Sequence, residues 1–549
     1  MKIALLQHNF VVGDLAHNAE KIRRGYQQAA SFGADLVVST ELALCGYPPR
    51  DLLEQKAFVA KQVQELARLA KSIKTPPLIV GFAEQNQGIE GKPLFNAAAV
   101  LSGGKIDSVR RKALLPTYDV FDEYRYFEPH LPVQKPVSIL GKRIGLLICE
   151  DIWNGIEDPK GRKQYQYDPV DALEKERLDA LVVINGSPYF WGKGDARFRL
   201  VSGIARRIAA PVAYSNQVGG NDELIFDGRS FAVNREGICI GSAKAFEEDV
   251  LLVDTAAIQE APFVSDTGNL AEVKTALVTG LRDYVEKVGH FLGGAVFGLS
   301  GGIDSALVAA IAKEALGNER VLAVAMPSPF SSKESEEDAY ALSKNLGIGF
   351  LVVPIQEAFR AYQTMLQANI GWSEPPTITE ENIQSRIRGM ILMAIANKQK
   401  RIVLGTGNKS ELAMGYATLY GDMAAGLGII SDLPKTLVYE LARFINREQE
   451  IIPKRILEKP PSAELKPDQK DTDSLPPYEV LDPILHAYIE ERQGLEEIVA
   501  NGQDRALVER IIRTVDAMEF KRRQAAPGLK ITTKAFGSGR RMPIAARFS

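Results

Sequence analysis

Cysteine and histidine are scarce in this chain, 3 and 5 among 549 residues. Three cysteines cannot build a disulfide framework, which fits a reducing compartment and places the protein in the cytoplasm. Widely scattered histidines with no paired Cys/His spacing argue against a structural zinc site. No apolar run is long enough to span a bilayer, and the start, Met1-Lys2-Ile3-Ala4-Leu5-Leu6-Gln7-His8, turns polar too early for a secretory signal. A charge surplus is missing as well. With 66 Lys+Arg against 69 Asp+Glu the formal net charge is -3, so no overall basic field draws nucleic acid. Internal repeats are absent. What remains is ordinary globular composition, 45% apolar and 25% charged, in a chain too long for one core; two or more domains are expected.

The stretch that organises the chain is Gly298-Leu299-Ser300-Gly301-Gly302-Ile303-Asp304-Ser305. Ala295-Val296-Phe297 before it reads as the end of a buried strand, and Ala306 to Ala312 after it as a helix with one apolar face. A strand, a Gly/Ser turn and a helix N-terminus together make an anion cradle. Glycines let the backbone approach a phosphate, while free N–H groups and the helix dipole face it. No Gly-Lys-Ser/Thr follows, so the P-loop signature is absent. The cradle therefore suits a pyrophosphate released whole better than a transferred γ-phosphoryl group. Asp304 is placed to hold the Mg²⁺ that bridges those oxygens. The competing reading is a turn that only links strand to helix; two serines and a carboxylate at the helix mouth weigh against it. The octet matches the SGGxDS loop of the ATP pyrophosphatase superfamily. That resemblance implies ATP split to AMP and pyrophosphate to activate a carbonyl or carboxylate.

Taken in order, Lys2 to Leu6 is a short strand, Asn18 to Phe32 an amphipathic helix ended by Gly33, and Asp35 to Ser39 the next strand. Glu41 sits just past it, where α/β proteins place their chemistry. Ile79 to Phe82 and Ala97 to Leu101 read as a hairpin-like pair, and Lys112 precedes a polar-aromatic loop from Tyr118 to Phe127. The apolar strand Ile144 to Ile148 delivers Cys149; a further strand, Ala180 to Ile184, ends in Asn185-Gly186-Ser187-Pro188. A helix from Phe198 to Ile208 and strands Val212 to Ser215 and Ser230 to Asn234 complete an α/β layer structure. Asp, Thr, Pro and Gly break the periodicity between Val253 and Leu270, which marks a join. Beyond it come a helix from Ala271 to Phe291, strands at Val321 to Met326, Phe350 to Val353 and Ile402 to Leu404, and helices at Lys333 to Leu346 and Glu380 to Lys398. This alternation predicts a doubly wound parallel sheet with ligand at its C-terminal strand ends. Tyr416 to Pro434 and Pro453 to Pro483 are irregular, and read as lids or as disordered segments.

Cys149 has the placement of a nucleophile, at a sharp turn after a buried strand. A thiol needs a base or a nearby cation to become a thiolate. No histidine occupies a comparable strand-end position, so Glu41 is the available base, and Lys112 can stabilise the oxyanion of a tetrahedral intermediate. Cys45 and Cys239 read as small buried hydrophobes. Glu41 in Ser-Thr-Glu-Leu, Lys112 in Arg-Lys-Ala-Leu-Leu-Pro and Cys149 in Ile-Cys-Glu-Asp-Ile-Trp resemble the nitrilase superfamily. The resemblance implies an αββα sandwich and a Glu-Lys-Cys triad that hydrolyses amides through a thioester. It also implies an auxiliary acid, Glu123, in Phe-Asp-Glu-Tyr-Arg-Tyr-Phe, and glutamine contacts at Tyr118, Ser187 and Lys193.

An amidase upstream of an ATP-dependent activating domain has a chemical logic. Amidating a carboxylate is uphill; adenylylation supplies AMP as leaving group, and a local source of unprotonated ammonia then attacks. A nitrilase-type glutaminase joined to an SGGxDS domain resembles the glutamine-dependent NAD⁺ synthetases along essentially the full length. That family implies glutamine, ATP and deamido-NAD⁺ as substrates, Mg²⁺, the last step of NAD⁺ biosynthesis, and assembly as a homo-oligomer. It implies domains at 1–255 and 271–549 with a linker at 256–270. On the same basis Thr406, Lys435 and Ser462 join the Gly298–Ser305 loop around ATP, and Asp304 and Glu411 hold the metal. Asn382 and Arg386, at i and i+4 of one helix, together with Glu411 and Lys521 would contact deamido-NAD⁺. Where the ammonia-only members carry a lysine before Tyr-Gly-Asp, this chain has Leu419. The basic tail from Lys521-Arg522-Arg523 to Arg540-Arg541 lacks interleaved stacking aromatics, so neither nucleic acid nor membrane is an expected partner. Rival readings are an amidotransferase with a different acceptor and a non-catalytic nucleotide-sensing scaffold.

Overall fold

Ile3 and Leu5 point to one side of the first strand, Ala4 and Leu6 to the other, and all four are buried. A strand covered on both faces needs layers above and below it, and the computed structural model contains them. It describes residues 1–133, 135–155, 163–289, 292–372 and 377–547. The chain divides into two compact units, Met1–Asn269 and Leu270–Ser549. Most of the stretch at 256–270 therefore belongs to the first.

In the first unit the strands are β1 (Lys2–Gln7), β2 (Leu36–Val38), β3 (Leu78–Gln85), β4 (Leu94–Ser102), β5 (Lys105–Arg111), β6 (Val137–Ile139) and β7 (Lys142–Ile148). They continue with β8 (Ala180–Asn185), β9 (Val212–Asn216), β10 (Val218–Asn221), β11 (Leu224–Asp227), β12 (Phe231–Val233), β13 (Cys239–Ser242) and β14 (Asp249–Asp254). They form two six-stranded sheets, in the orders β14-β1-β2-β3-β4-β5 and β13-β12-β9-β8-β7-β6, with β10 and β11 as a separate ribbon. Ile3, Leu5, Val38 and Ile79 from one sheet pack against Ile144, Leu146, Val182 and Ile184 from the other. The outer face of the first sheet is covered by α1 (Leu15–Ser31) and α2 (Lys56–Ser72), which set Ile22, Tyr26, Leu66 and Leu69 on Ala4, Leu6, Val37 and Val80. α3 (Pro169–Glu174) and α4 (Lys193–Ile208) cover the second sheet in the same way. The result is a four-layer αββα sandwich. α1 starts before Asn18 because the Asp14 side chain accepts a hydrogen bond from the His17 N–H and caps it.

The second unit opens with α5 (Leu270–Val288); the end expected for this helix, at His290–Phe291, lies outside the described residues. Strands β15 (Gly294–Gly298), β16 (Val321–Ala325), β17 (Gly349–Val352), β18 (Arg401–Gly405) and β19 (Leu427–Gly428) pair in the order β17-β16-β15-β18-β19, every pair parallel. Helices α6 (Ile303–Leu316), α7 (Lys333–Leu346), α8 (Gln356–Gln367), α9 (Ile378–Gln399), α10 (Lys409–Met414) and α11 (Lys435–Ile445) accompany them. This is the doubly wound α/β arrangement. Its strand order reverses between β15 and β18, which opens a crevice at their C-terminal ends. α9 begins at a capping box that no apolar pattern announces: Thr377 and Glu380 each hydrogen-bond the other's stretch of backbone. The two irregular stretches are folded back on the crevice. Tyr416 to Pro434 contributes β19 and a series of turns, and Pro453 to Pro483 includes a helix at Lys454–Glu458 and the start of another at Tyr478–Leu485. Among the described residues no helix is long and apolar enough to cross a membrane.

Candidate functional site

At the end of β7 the backbone turns sharply, and Cys149 takes a left-handed conformation with φ 45°. For a residue with a Cβ this strain costs on the order of 1–3 kcal/mol, and it persists only where neighbours hold it. Asp151 supplies the hold. Its carboxylate accepts the N–H of Ile148 (3.0 Å) on one oxygen and those of Ala113 and Leu114 (both 2.9 Å) on the other. One side chain thus ties the thiol's turn to the residues that follow Lys112.

Lys112 and Glu41 are entirely buried. The Lys112 ammonium donates to Glu41 Oε1 at 2.6 Å and to Glu123 at 2.8 and 2.7 Å. Glu41 Oε2 accepts the Gly186 N–H at 2.8 Å, and Glu123 also accepts from the Tyr47 hydroxyl at 2.8 Å. Asn96 bridges the two carboxylates, donating at 2.7 Å to Glu41 and 3.2 Å to Glu123. Burial alone would lower the Lys112 pKa, but Glu123, Glu41 and Cys149 outweigh it and hold the ammonium well above its ordinary value. Burial pushes the Cys149 thiol well up, and Glu41 adds to this while Lys112 opposes it. At rest Cys149 is therefore a neutral thiol in the field of the Glu41 side chain. Glu123 is raised by burial and by Glu41 against the pull of Lys112.

Around this constellation Tyr118 and Tyr165 donate their hydroxyls to Glu150 at 3.0 and 2.9 Å, and burial pushes the Glu150 acid up to about 7. Ser187 is pinned at the end of β8. Its N–H donates to Asn216 Oδ1 at 2.9 Å, and the Arg197 guanidinium reaches its carbonyl at 2.8 Å. Arg197 is itself buried and paired with both oxygens of Asp227, at 2.6 and 2.8 Å. Lys193 is the first residue of α4, with its ammonium 5.1 Å from the Phe190 ring centre. One sequence reading needs correction. A histidine does occupy a strand end, since His8 directly follows β1. Its ring nitrogens make no hydrogen bond, Nδ1 lies 3.7 Å from Glu248 and the ring meets Phe10 edge-on, so it offers Cys149 no base. Cys45 is buried, and burial raises its thiol to about 12; Cys239 is buried too, and both are free.

In the second unit a cavity of about 380 Å³ occupies the crevice. Its floor is the Gly298–Ser305 loop, and Thr406, Lys435, Ser462, Asn382, Glu411 and Lys521 line it as well. Gly301 has φ +78°, and a Cβ there would lie 2.3 Å from the Ser335 carbonyl oxygen, so glycine is required. The loop holds its own shape: Ser305 Oγ accepts the Ser300 N–H at 3.2 Å, and Ser300 Oγ accepts that of Gly302 at 3.2 Å. Asp304 accepts from Asn408 Nδ2 at 2.9 Å and pairs with Lys435 at 2.5 Å; the same ammonium lies 3.3 Å from Glu411. Burial pushes Glu411 up to about 8, with Lys435 opposing and Asp304 adding. Asp304 and Glu411 turn to one ammonium in this pocket, and a hard cation would have to displace the proton that burial favours on Glu411. Among the described residues no three His, Cys, Asp or Glu side chains converge into a metal cage. The pair fits Mg²⁺, which takes one or two carboxylates and completes its shell with phosphate and water.

Arg386 does not line the cavity. Ile378, Glu381, Asn382, Ser385, Arg388, Gly389 and Leu392 make the stripe of α9 that does, and at 100° per residue Arg386 is turned about 100° from its middle. Its Nε donates instead to the Leu419 carbonyl at 3.2 Å. Arg388 faces the cavity in its place, donating through Nε to Met326 O at 3.0 Å, with its pKa lowered by burial to about 10. Sequence reasoning also passed over Asn96 and Asn408. Each had a signal: Asn96 is a lone amide in the apolar run Leu94 to Leu101, and Asn408 opens an Asn-x-x-Glu capping box with Glu411.

The four-layer sandwich with its buried thiol turn defines a carbon–nitrogen hydrolase type of unit, and the loop at the switch point of a parallel sheet an ATP pyrophosphatase type. The carbon-nitrogen hydrolase family model matches residues 2–157 and the NAD synthase family model residues 273–525. A glutamine-dependent NAD(+) synthetase of Synechocystis sp. is 50% identical over 559 residues, spanning 100% of this chain and 99% of its own length. The one from Thermotoga maritima is 42% identical over 591 residues, spanning 100% and 99%. The solved glutamine-dependent NAD+ synthetase of Acinetobacter baumannii, in complex with adenosine diphosphate, is 39% identical, with a TM-score of 0.76 over 99% of this chain and 98% of that one. The chain belongs to the glutamine-dependent NAD(+) synthetases.

Proposed function

We propose that the first unit hydrolyses glutamine at Cys149 and that the second uses the ammonia to convert deamido-NAD⁺ to NAD⁺ with ATP. The observation that carries this reading is the buried Glu41–Lys112–Glu123 constellation beside the strained thiol, in one chain with the loop-lined cavity. Glu41 takes the thiol proton as sulfur attacks the carboxamide carbon, so no free thiolate has to persist at rest. Lys112, kept charged by two carboxylates, stabilises the negative oxygen of the tetrahedral adduct. Collapse expels ammonia, which carries off the proton held by Glu41, and leaves a thioester. Water, deprotonated by Glu41, then attacks the thioester, glutamate leaves, and the Cys149 sulfur recovers its proton from Glu41. Tyr118, Ser187 and Lys193 orient the substrate, and Glu123 sets the charge of Lys112.

In the second unit the nicotinate carboxylate of deamido-NAD⁺ attacks the α-phosphorus of ATP, and pyrophosphate leaves into the cradle of loop N–H groups between Gly298 and Ser305. Thr406, Lys435 and Ser462 hold the nucleotide, while Asn382, Glu411 and Lys521 hold the dinucleotide. Asp304 and Glu411 would hold Mg²⁺, which supplies neutralisation of the phosphate charge. Ammonia then attacks the acyl adenylate, and AMP departs. Ammonia in bulk water at neutral pH is mostly ammonium, which is not a nucleophile, so delivery within the protein preserves the reactive form. The test is Cys149→Ala. Formation of NAD⁺ from deamido-NAD⁺ is expected to vanish with glutamine as nitrogen source and to persist with ammonium salts. Equal loss of both would refute the two-site reading.

A further inference from the structure

The segment that leads out of the first unit runs back over the start of α4. Asp266 is entirely buried there, and its two oxygens accept the N–H groups of Gly194 at 2.8 Å and Asp195 at 3.0 Å. These are first-turn amides, which find no partner inside a helix. Gly192, the residue before α4, makes no side-chain cap. The cap is supplied instead by a residue far along the chain, together with a negative charge at the positive end of the helix dipole. The contact is reciprocal: Asp195 accepts from the Ser265 hydroxyl at 2.6 Å and the Thr267 hydroxyl at 2.5 Å. Phe263 stacks on Phe198 of the same helix with ring centres 4.4 Å apart. Gly194 admits this approach, since a Cβ there would lie 2.9 Å from Asp266 Oδ2.

The helix turn held in this way carries Lys193 at its first position and Arg197 one turn on, and Arg197 grips Ser187. Lys193, and Ser187 through Arg197, are the residues read above as glutamine contacts, whereas Glu41, Lys112 and Cys149 sit on other elements. We propose that Asp266 is a positioning residue, and that the strap it anchors, residues 263–267, sets the affinity of the first site for glutamine. This rests on reading the Cys149 site as a glutaminase. Releasing the strap frees the first turn of α4, so Lys193 and Ser187 lose register while the reacting groups keep theirs. Binding weakens and the chemistry after binding survives.

The test uses the full chain and steady-state kinetics with glutamine. Asp266→Ala is expected to raise the KM for glutamine about tenfold, the usual effect of a lost cap expressed in binding, with kcat within about twofold. Ammonium-driven synthesis should be unchanged. Asp266→Asn, which keeps one acceptor, should fall between. Gly194→Ala displaces the strap without removing the carboxylate and should give the same rise in KM. A wild-type KM in Asp266→Ala, or a parallel fall in kcat with glutamine and with ammonium, overturns the proposal. Cys149→Ala run alongside separates the two failures. If it loses only glutamine-driven synthesis while Asp266→Ala keeps a wild-type KM, the strap falls and the glutaminase reading stands. If glutamine-driven synthesis persists, both fall.

Discussion

Replacing Lys112 by methionine removes the only cation that faces Glu41 and Glu123 at hydrogen-bonding distance among the described residues. Two carboxylates would remain in a site with no solvent access to either Glu41 or Lys112, bridged only by Asn96. Deleting one partner of a buried ion pair costs about 3–5 kcal/mol. For a unit of this size each kcal/mol lowers Tm by about 2–4 °C, so a loss of about 10 °C is expected for the first unit. The loss should depend on pH. Glu123 already titrates above its ordinary value, by burial and by Glu41, and Lys112 is what restrains it. Without Lys112 its folded pKa rises further above the unfolded one. A group shifted in that direction is best tolerated at low pH and costs stability as pH rises through its folded pKa. Calorimetry of Lys112→Met should show a Tm deficit that is large near about pH 8 and shrinks toward about pH 5. Adding Glu123→Gln should recover most of the Tm at neutral pH. Glutaminase activity, followed as glutamate release, should fall by about 10²–10³ in both variants. A deficit that is constant with pH, or a glutaminase within tenfold of wild type, would refute the electrostatic account.

Two further outcomes follow from single contacts. Gly301→Ala puts a methyl group 2.3 Å from the Ser335 carbonyl and strains a left-handed residue. Ammonium-driven synthesis should drop by at least about tenfold while glutamate release continues, and a wild-type rate would show that the loop tolerates another shape. Burial lowers the His8 imidazole from 6.5 to about 4. The unfolded chain therefore takes up this proton first, and stability that is complete above about pH 6.5 declines by about 3 kcal/mol as pH falls toward 4. His8→Phe should flatten the acid limb of the Tm–pH curve; an unchanged slope would contradict the burial argument.

The parts of the fold legible in the sequence were those with local causes. β1, β7, β8 and β15 are short apolar runs because both faces of their sheets are covered, and the Gly298–Ser305 loop is contiguous, so its residues declare themselves together. Glu41 and Cys149 each follow an apolar strand, whereas Lys112 follows the polar edge strand β5 and shows itself only through the segment around it. Contacts across the chain were not legible. The segment at 263–267 looked like a break in periodicity because its polar side chains serve α4 and not their own neighbours. α2 was passed over because its buried face includes Gln62 and Glu65 among its apolar residues. That Arg388 lines the cavity and Arg386 does not depends on the rotation of α9, which no short pattern records, since its exposed side carries Met390 and Met393 and blurs the helical stripe.

Lys435 already has two carboxylate neighbours before any nucleotide arrives. To turn toward a phosphate it would have to loosen its grip on Asp304 or Glu411; burial already favours the neutral acid at Glu411, so Asp304 is the one that would need a new counter-ion. Nucleotide and divalent cation are therefore better admitted as one neutralising pair than in succession. In the presence of a chelator, ATP would have to draw Lys435 away from Asp304 with no cation to take its place.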